Sequence, residues 1–462
     1  MTECLRAKQG EQRRNERPNI VFVFGDQWRQ QATGYAGDPN VKTPNIDRLA
    51  KESVNFTHAI SGCPVCSPYR ASLLMGQRPL THGVFVNDVN LRPNGASLAE
   101  TLSVAGYDTA YIGKWHVDGH GRSNYIPLER RLGFDYWKVL ECTHDYNESP
   151  YYEGASDEKL YWDGYDAIAQ TKDAQRYIRD HAGVKPFLLM LSWGPPHAPY
   201  DTAPEEYREL YDPCAIVLRP NVPETIASQA RKWLAGYYAH CSALDVCVGS
   251  LLETLKECGL VDNTIFVFTS DHGDMLGSQG ETKKQRPWDE SIRVPFLLRY
   301  PGLSGWRPRQ MKGIIDGHDI FPTLLGLCEI PIPATVEGLD FSKPIAGGDD
   351  PSDGTALLLC PQPFGQWTAR KHGGKEYRGL RTRRYTYVRD LQGPWLLYDN
   401  EKDPFQLRNL VKDPDFYRIR DELDLALRNK LEEQKDDFFP GMEYIGKWGY
   451  SVDEDGTVPY TD

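Results

Sequence analysis

Ionisable side chains follow several predicted strands at the point where each strand ends. The residues in these positions are Asp26, Lys114, His116, His197, Asp271 and His272. Because ligands of open α/β sheets gather outside the carboxyl ends of the strands, we expect these side chains to share one site. A single histidine or aspartate at a strand end is most often a cap or turn residue, but several together indicate a functional cluster.

Three residues of this cluster have the chemistry of a cation site. Asp26, Asp271 and His272 supply two carboxylates and an imidazole. Carboxylates favour hard ions such as Ca²⁺ or Mg²⁺, and the imidazole also admits Mn²⁺ or Zn²⁺. Lys114 and Lys284 add positive charge for an anionic group. Such a site suits transfer of a phosphoryl or sulfuryl group, in which positioning and charge stabilisation dominate catalysis.

Cys66 is the candidate nucleophile. It precedes a predicted helix over residues 67–75, and Pro68 has the first-turn position that proline favours. Free N–H groups and the helix dipole favour an anion at this end of a helix. Arg70 lies four residues further on, on the same helical face as Cys66. Its guanidinium suits a tetrahedral oxyanion beside the nucleophile.

The segment Cys66-Ser67-Pro68-Tyr69-Arg70-Ala71-Ser72-Leu73-Leu74-Met75-Gly76 resembles the signature of the type I sulfatases, in the alkaline phosphatase superfamily. The resemblance covers most of the chain, through Asp26-Gln27, Thr43-Pro44-Asn45-Ile46-Asp47-Arg48-Leu49-Ala50, Gly113-Lys114-Trp115-His116, Pro196-His197-Ala198-Pro199, Ser270-Asp271-His272-Gly273, and Leu397-Tyr398-Asp399 with Asp403-Pro404 and Asn409-Leu410. Gly25 and His272 depart from the Asp and Asn that the family often has. Choline sulfatases and phosphonate monoester hydrolases share these departures.

The resemblance implies two cofactors. A separate maturation enzyme would oxidise Cys66 to Cα-formylglycine, whose hydrated aldehyde is the family's nucleophile. Asp26, Asp271, His272 and the modified Cys66 would ligate one divalent metal, with Ca²⁺ favoured and Mg²⁺ or Mn²⁺ as alternatives.

The resemblance also implies roles for the remaining site residues. The catalytic set is Cys66, Arg70, Lys114, His116, His197 and Lys284. Arg70, Lys114 and Lys284 would balance charge on the transferred group, and His197 or Lys284 would protonate the leaving alcohol. His116 would take a proton from the second hydroxyl, so that sulfate is expelled. We interpret Lys284, rather than Lys283, as the site lysine.

Four further residues are candidates for the substrate-binding site: Gln27, Trp28, Arg29 and Asn87. Trp28 and Arg29 share the rim with Asp26. Gln27 is either a donor behind the metal site or a loop residue, and Asn87 is either a substrate-facing amide or a turn residue. Residues 146–162 have the composition of a loop over the pocket, whose aromatic side chains either stack on a sugar or pack the loop itself. The basic run 378–384 is interpreted as decorating a strand, with a subsite for an anionic glycan as the alternative.

The elements that must position these residues alternate along the chain. Strands are predicted at 20–24, 108–112, 187–193, 264–269 and 294–298, and helices at 67–75, 97–105, 164–181 and 228–258. This alternation predicts an α/β fold with a large mixed, mostly parallel sheet sandwiched by helices. We expect a flexible lead-in at 1–16, a catalytic domain at 17–350 and a C-terminal subdomain at 351–462. Short aromatic-rich strands and a helix at 415–433 predict a small antiparallel sheet there.

Composition excludes several other classes of protein. Of 462 residues, 53 are Lys or Arg and 65 are Asp or Glu, so the net charge of −12 argues against a nucleic-acid partner. Aromatic residues make up 11% of the chain, which excludes intrinsic disorder. No window approaches the ~18 apolar residues that span a bilayer. The polar N-terminus lacks the apolar core of a secretory signal, so we expect a cytoplasmic protein without a membrane partner.

These features together predict a sulfatase that hydrolyses the sulfate ester of an organic alcohol. A small-molecule or short-glycan sulfate ester is the expected substrate, and the oligomeric state is left open. A phosphonate monoester or phosphodiester hydrolase on the same scaffold is the first alternative. The second is a non-catalytic anion-binding relative in which Cys66 stays a thiol.

Overall fold

The computed structural model describes residues 17–460, so the predicted lead-in at 1–16 lies outside the described residues. Its centre is a sheet of ten strands: β1 (Asn19–Asp26), β2 (Val54–Ile60), β3 (Asp108–Lys114), β4 (Tyr136–Leu140), β5 (Pro150–Glu153), β6 (Leu160–Tyr161), β7 (Phe187–Pro196), β8 (Thr264–Ser270), β9 (Phe296–Arg299) and β10 (Arg309–Asp316). Their order across the sheet is β10-β2-β9-β8-β1-β7-β3-β4-β5-β6.

The middle of this sheet is parallel. Strands β8, β1, β7, β3 and β4 all run the same way, and β9 and β5 are antiparallel to their neighbours. Every residue of β1 is buried, as expected for a strand that is apolar on both faces and lies between two parallel neighbours. The predicted mostly parallel sheet is confirmed.

Helices cover both faces of the sheet. They are Pro44–Lys51, Cys66–Met75, Pro79–His82, Leu98–Val104, Asp166–His181, Glu205–Arg208, Ala227–Glu257, Asp289–Ile292, Gly317–Leu327, Ser342–Ile345, Ala369–His372, Tyr417–Glu433 and Gly441–Trp448. One apolar core joins the sheet to Cys66–Met75 and Gly317–Leu327, and a second joins it to Asp166–His181 and Ala227–Glu257. The sheet is therefore sandwiched, as predicted.

A second sheet follows in the C-terminal part. Strands β11 (Thr355–Cys360), β12 (Tyr377–Thr382), β13 (Tyr385–Asp390) and β14 (Gly393–Asp399) pair antiparallel in chain order. Leu427 and Leu431 of the helix Tyr417–Glu433 pack on one face of it. The small antiparallel sheet and its covering helix are also confirmed.

Residues 146–162 differ from the expectation of a loop over the pocket. They carry β5 and β6, which extend one edge of the large sheet. The rings of Tyr151 and Trp162 stack with their centroids 4.0 Å apart, so these aromatic side chains pack against each other. The composition of residues 146–162 predicts a loop because β5 and β6 are too short to show a periodic hydrophobic signal.

The basic run at 378–384 is used for internal ion pairs. Its partners are Asp436 for Arg378, Asp289 for Arg381, Asp350 for Arg383 and Asp399 for Arg384. This supports the interpretation that the run decorates a strand. No helix in residues 17–460 combines the length and apolarity needed to cross a membrane.

One of these ion pairs joins the small sheet to the helix Asp289–Ile292, which precedes β9. Arg381 of β12 donates to both carboxylate oxygens of Asp289 at 2.9 and 3.0 Å, and both side chains are almost fully buried. Loss of one partner leaves a buried charge that is only partly compensated by Arg293. We expect Arg381→Met to lower the free energy of unfolding by about 3 kcal/mol, measured as a lower urea midpoint.

The matched control is Arg418→Ala, which breaks an exposed pair with Glu422. Exposed pairs contribute about 0–1 kcal/mol, so this variant should keep the midpoint of the parent chain. Equal midpoints for the Arg381 and Arg418 variants would contradict the anchoring role.

Candidate active site

Four adjacent strands deliver the predicted residues to one edge of the sheet. Strands β8, β1, β7 and β3 are neighbours, and the site residues lie at or just after their carboxyl ends. The structure brings together Asp26, Cys66, Arg70, Lys114, His197, Asp271, His272 and Lys284, all of them buried. The sheet order explains this convergence, because these four strands run parallel and end at the same edge.

Cys66 is the first residue of the helix Cys66–Met75 and lies at the centre of the cluster. Its Sγ is 2.9 Å from Lys284 Nζ, 3.2 Å from His272 Nε2 and 3.6 Å from Asp26 Oδ1. Burial and the Asp26 carboxylate raise the pKa of the thiol, but the nearby cations lower this pKa by more, so the net shift is downward.

Asn87 supports the start of this helix. Its Oδ1 accepts a hydrogen bond from the Ser67 N–H at 3.0 Å, which satisfies one of the free donors of the first turn. The side chain therefore positions the helix that carries Cys66.

Arg70 lies beneath the two aspartates. Its Nη2 is 3.1 Å from Asp26 Oδ2 and 3.1 Å from Asp271 Oδ2, and its Nε donates to Asp271 Oδ2 at 3.2 Å. Nη1 donates to the Lys114 carbonyl at 2.8 Å and to Ser192 Oγ at 2.7 Å. Protein acceptors thus occupy all three nitrogens. Arg70 thus holds the two aspartates in place, and its contact with the transferred oxyanion stays a prediction.

Lys114 carries the charge that faces Asp26. Its Nζ is 2.7 Å from Asp26 Oδ2 and 4.0 Å from Cys66 Sγ. Burial would raise the pKa of Asp26, but Lys114 and the other nearby cations hold it well below its usual range. Asp26 is therefore ionised at neutral pH.

Lys284, and not Lys283, reaches the site. Its Nζ is 3.1 Å from His197 Nε2, and His197 Nδ1 is 2.8 Å from the Ala198 carbonyl. Burial, followed by the Lys284 charge, lowers the pKa of His197 well below its ordinary value. His197 is therefore neutral, donates a hydrogen bond from Nδ1 to the carbonyl, and accepts a hydrogen bond at Nε2 from Lys284 Nζ.

His116 is held by a carboxylate that the sequence did not indicate. Its Nε2 is 3.2 Å from Asp88 Oδ1, and Arg122 grips both oxygens of Asp88 at 2.8 and 2.7 Å. Burial would raise the pKa of Asp88, but the bonds from Arg122 and His116 hold it below its usual range. The Nε2 of His116 thus donates, and its buried Nδ1 has no partner among residues 17–460.

The three residues after Asp26 are buried. Gln27 donates from its backbone N–H to Asp271 Oδ1 at 2.9 Å and from its amide to Asp274 Oδ2 at 2.6 Å, so it is a donor behind the aspartates. Trp28 is fully buried, with its ring edge-on to Phe268. Arg29 is 1% exposed. Contact of Trp28 and Arg29 with substrate stays a prediction, since the other residues of the site are also buried.

Sequence reasoning missed several residues of this site. They are Asp88, Arg122, His144, Ser192 and Asp274. Asp274 lies two residues after His272, and Asp88 directly follows Asn87. Proximity in sequence to predicted site residues could therefore have identified both aspartates. His144, whose ring stacks on His197 with centroids 4.7 Å apart, follows β4, a strand that was not predicted.

The cluster fits a divalent cation. Candidate ligand atoms of Asp26, Cys66, Asp271 and His272 lie within 4.8 Å of one another. Nδ1 of His272 lies 3.0 Å from the Gly273 carbonyl, and a hydrogen bond there leaves the Nε2 lone pair facing both aspartates. Two carboxylates and one imidazole form an oxygen-rich donor set that suits Ca²⁺, Mg²⁺ or Mn²⁺.

The α/β fold and this site together define a hydrolase of anionic esters. The Sulfatase family model matches residues 18–330, and a model described as N-sulphoglucosamine sulphohydrolase, C-terminal, matches residues 277–436. The chain therefore belongs to the sulfatase family, in the alkaline phosphatase superfamily, and is a sulfuric ester hydrolase.

Several characterised proteins are similar over nearly the whole chain. An ulvan-active sulfatase of Formosa agariphila is 46% identical over 96% of this chain and 87% of its own length. An endo-4-O-sulfatase of Bacteroides thetaiotaomicron is 32% identical over 86% of this chain and 89% of its own. A solved structure from work on glycosaminoglycan metabolism by Bacteroides thetaiotaomicron has a TM-score of 0.81 at 30% identity, covering 94% of this chain and 99% of that chain.

The Asp88 contact predicts a selective kinetic effect. Asp88→Asn removes the carboxylate that fixes the proton on His116 Nε2. The tautomer of the ring is then no longer fixed, so Nδ1 is not always available as the acceptor. We expect kcat to fall by about 10- to 100-fold with KM nearly unchanged. Steady-state sulfate release measures both constants.

Asp118→Asn is the control, because Asp118 is another buried carboxylate held by an arginine, Arg130, and does not contact His116. It should retain the kcat of the parent chain. A parent-like kcat for Asp88→Asn would refute the orienting role of Asp88.

Proposed function

We propose that this sulfatase hydrolyses the sulfate ester of a sugar hydroxyl, in a carbohydrate chain rather than in a simple aryl sulfate. The observation that carries the proposal is the placement of Cys66 between Lys284, His272 and Asp26. An anionic ester bound there would lie next to both a cationic side chain and the candidate metal ligands. The similarity to an ulvan-active sulfatase and to an endo-4-O-sulfatase supports a sugar as the alcohol.

The side chain at position 66 acts as the nucleophile after a maturation enzyme oxidises Cys66 to Cα-formylglycine. In the structure Cys66 Sγ marks the position that an oxygen on the same carbon would take. That position is at the N-terminus of a ten-residue helix, where the dipole favours a developing negative charge.

Asp26, Asp271, His272 and the oxygen at position 66 would hold a divalent metal, with Ca²⁺ favoured. When bound, the metal supplies positive charge that stabilises the nucleophile and the transferred group. Arg70 keeps both carboxylates in place, and Lys114 balances the charge of Asp26.

Two residues move protons at opposite ends of the reaction. Lys284 holds a proton that it shares with neutral His197, and it gives this proton to the leaving sugar oxygen as the sulfur–oxygen bond breaks. Nδ1 of His116 would accept the proton from the second hydroxyl at position 66, since Asp88 occupies Nε2. This transfer would allow sulfate to leave as the aldehyde re-forms.

The activity test is a panel of sulfated mono- and disaccharides, with release of inorganic sulfate followed by ion chromatography and the product identified by NMR. We expect turnover of at least one sugar sulfate, and faster turnover of sulfate esters than of a matched phenylphosphonate monoester. Faster phosphonate hydrolysis would instead favour a phosphonate monoester hydrolase.

The same preparation needs a maturation control. Conversion of CH₂SH to CHO lowers the mass of the Cys66 peptide by about 18 Da, which peptide mass spectrometry detects. Cys66→Ala should be inactive on every substrate. A matured chain that releases no sulfate from the whole panel would refute the proposed substrate class.

Lys284→Ala tests the proton donor. Sugar alkoxides leave poorly without a proton, whereas 4-nitrophenolate leaves without one. We therefore expect kcat on the sugar sulfate to fall by about 10²- to 10⁴-fold, with a smaller loss on 4-nitrophenyl sulfate. Equal losses on both substrates would show that Lys284 only binds the sulfate group.

A further inference from the structure

A large cleft of about 660 Å³ lies beside the active site. Its wall includes Ala198 and Pro199, which follow His197, and Thr282 and Lys283, which precede Lys284, so the cleft adjoins the two segments that carry these site residues. Pockets of about 300–1,000 Å³ enclose ligands larger than one sulfate group. The cleft therefore has room for units attached to the sulfated one.

Three cations line this cleft: Arg208, Lys232 and Lys283. They come from the helix Glu205–Arg208, from the long helix Ala227–Glu257 and from the segment before Lys284. No ion pair among residues 17–460 involves these three side chains, although the chain has a net charge of −12. Asp274 is the carboxylate whose charge acts on Lys283, and it accepts the Lys283 backbone N–H at 3.0 Å. Unpaired cations from separate elements that meet in one concave surface attract an anion.

The acids of the cleft offset only part of this charge. Asp274 is buried, and its Oδ2 accepts hydrogen bonds from Gln27 at 2.6 Å and Tyr200 at 2.5 Å. Asp201 is the other carboxylate on the wall, so the cations outnumber the acids.

The cleft also carries aromatic side chains. Trp233 follows Lys232 on the long helix and is half-buried in the wall. The hydroxyls of Tyr200 and Tyr211 are engaged with Asp274 and Ser242, which fixes their rings as walls. Flat rings beside amides such as Gln229 provide both the apolar faces and the hydrogen-bonding groups that a sugar ring needs.

We propose that this cleft binds the sugar units next to the sulfated unit, and that at least one of them is acidic. The negative group is a carboxylate or a second sulfate, held by Arg208, Lys232 and Lys283. This inference rests on the proposed function. It identifies the substrate as an acidic oligosaccharide rather than an isolated sugar sulfate.

Binding to the Cys66→Ala chain tests the cleft without turnover. The probes are size-fractionated oligosaccharides from ulvan and from chondroitin sulfate, each native, desulfated and carboxyl-reduced, measured by titration calorimetry. We expect at least one native probe to bind. The double variant Arg208→Ala with Lys232→Ala should bind this probe at least about tenfold more weakly, and its affinity should depend less steeply on salt concentration. Trp233→Ala should weaken binding without changing the salt dependence.

The chemical variants of the probe identify the acid. If the double variant no longer weakens binding once the carboxyl groups of the probe are reduced, the acidic group is a uronate. If it no longer weakens binding once the probe is desulfated, the acidic group is a second sulfate. Lys256→Ala is the matched control, since this exposed lysine of the same helix pairs with Glu253 outside the cleft. It should bind as the parent does.

The inference and the proposed function fail in different ways. If no native probe binds, or if the double variant binds as tightly as the parent, the cleft proposal is overturned even when sulfate is released from a monosaccharide. If the double variant loses binding but no sulfate ester is hydrolysed by matured protein, the cleft stands and the proposed reaction falls.

Discussion

The site depends on how two buried carboxylates are kept within ligand distance of each other. Asp26 and Asp271 arrive from neighbouring strands, and without cations their charges would repel strongly in a place that water does not reach. Arg70 contacts both, and Lys114 contacts Asp26. Because Arg70 lies on the helix that begins with Cys66, the same interaction that neutralises the aspartates also fixes the position of the nucleophile.

Backbone conformation at the site is equally constrained. Gln27, Asp88 and His116 have φ values of 70°, 63° and 60°, in a region that residues other than glycine seldom adopt. Each is held there by a contact across the site: Gln27 to Asp271, and Asp88 to His116. The surrounding sheet imposes these turns, which aim the side chains that carry the chemistry.

Charge is distributed unevenly over the molecule. The arginines of β12 and of the segment after it are matched by aspartates. The pairs with Asp289 and Asp350 hold the C-terminal sheet to the rest of the fold, and the pairs with Asp399 and Asp436 lie within the C-terminal part. In the cleft beside the site, by contrast, cations face open space. The first arrangement contributes to structure, and the second suits recognition of an anionic ligand.

The amino-acid pattern by itself determined the layered fold and most of the site. Strand ends are marked by an abrupt change from apolar to ionisable residues, so Asp26, Lys114 and Asp271 could be predicted from local pattern alone. Only the tertiary structure decided where the side chains point. Trp28 and Arg29 are buried, and the guanidinium of Arg70 is occupied by acceptors on or directly after four strands, β1, β3, β7 and β8. Those directions depend on contacts between residues far apart in sequence, which periodicity and composition do not record.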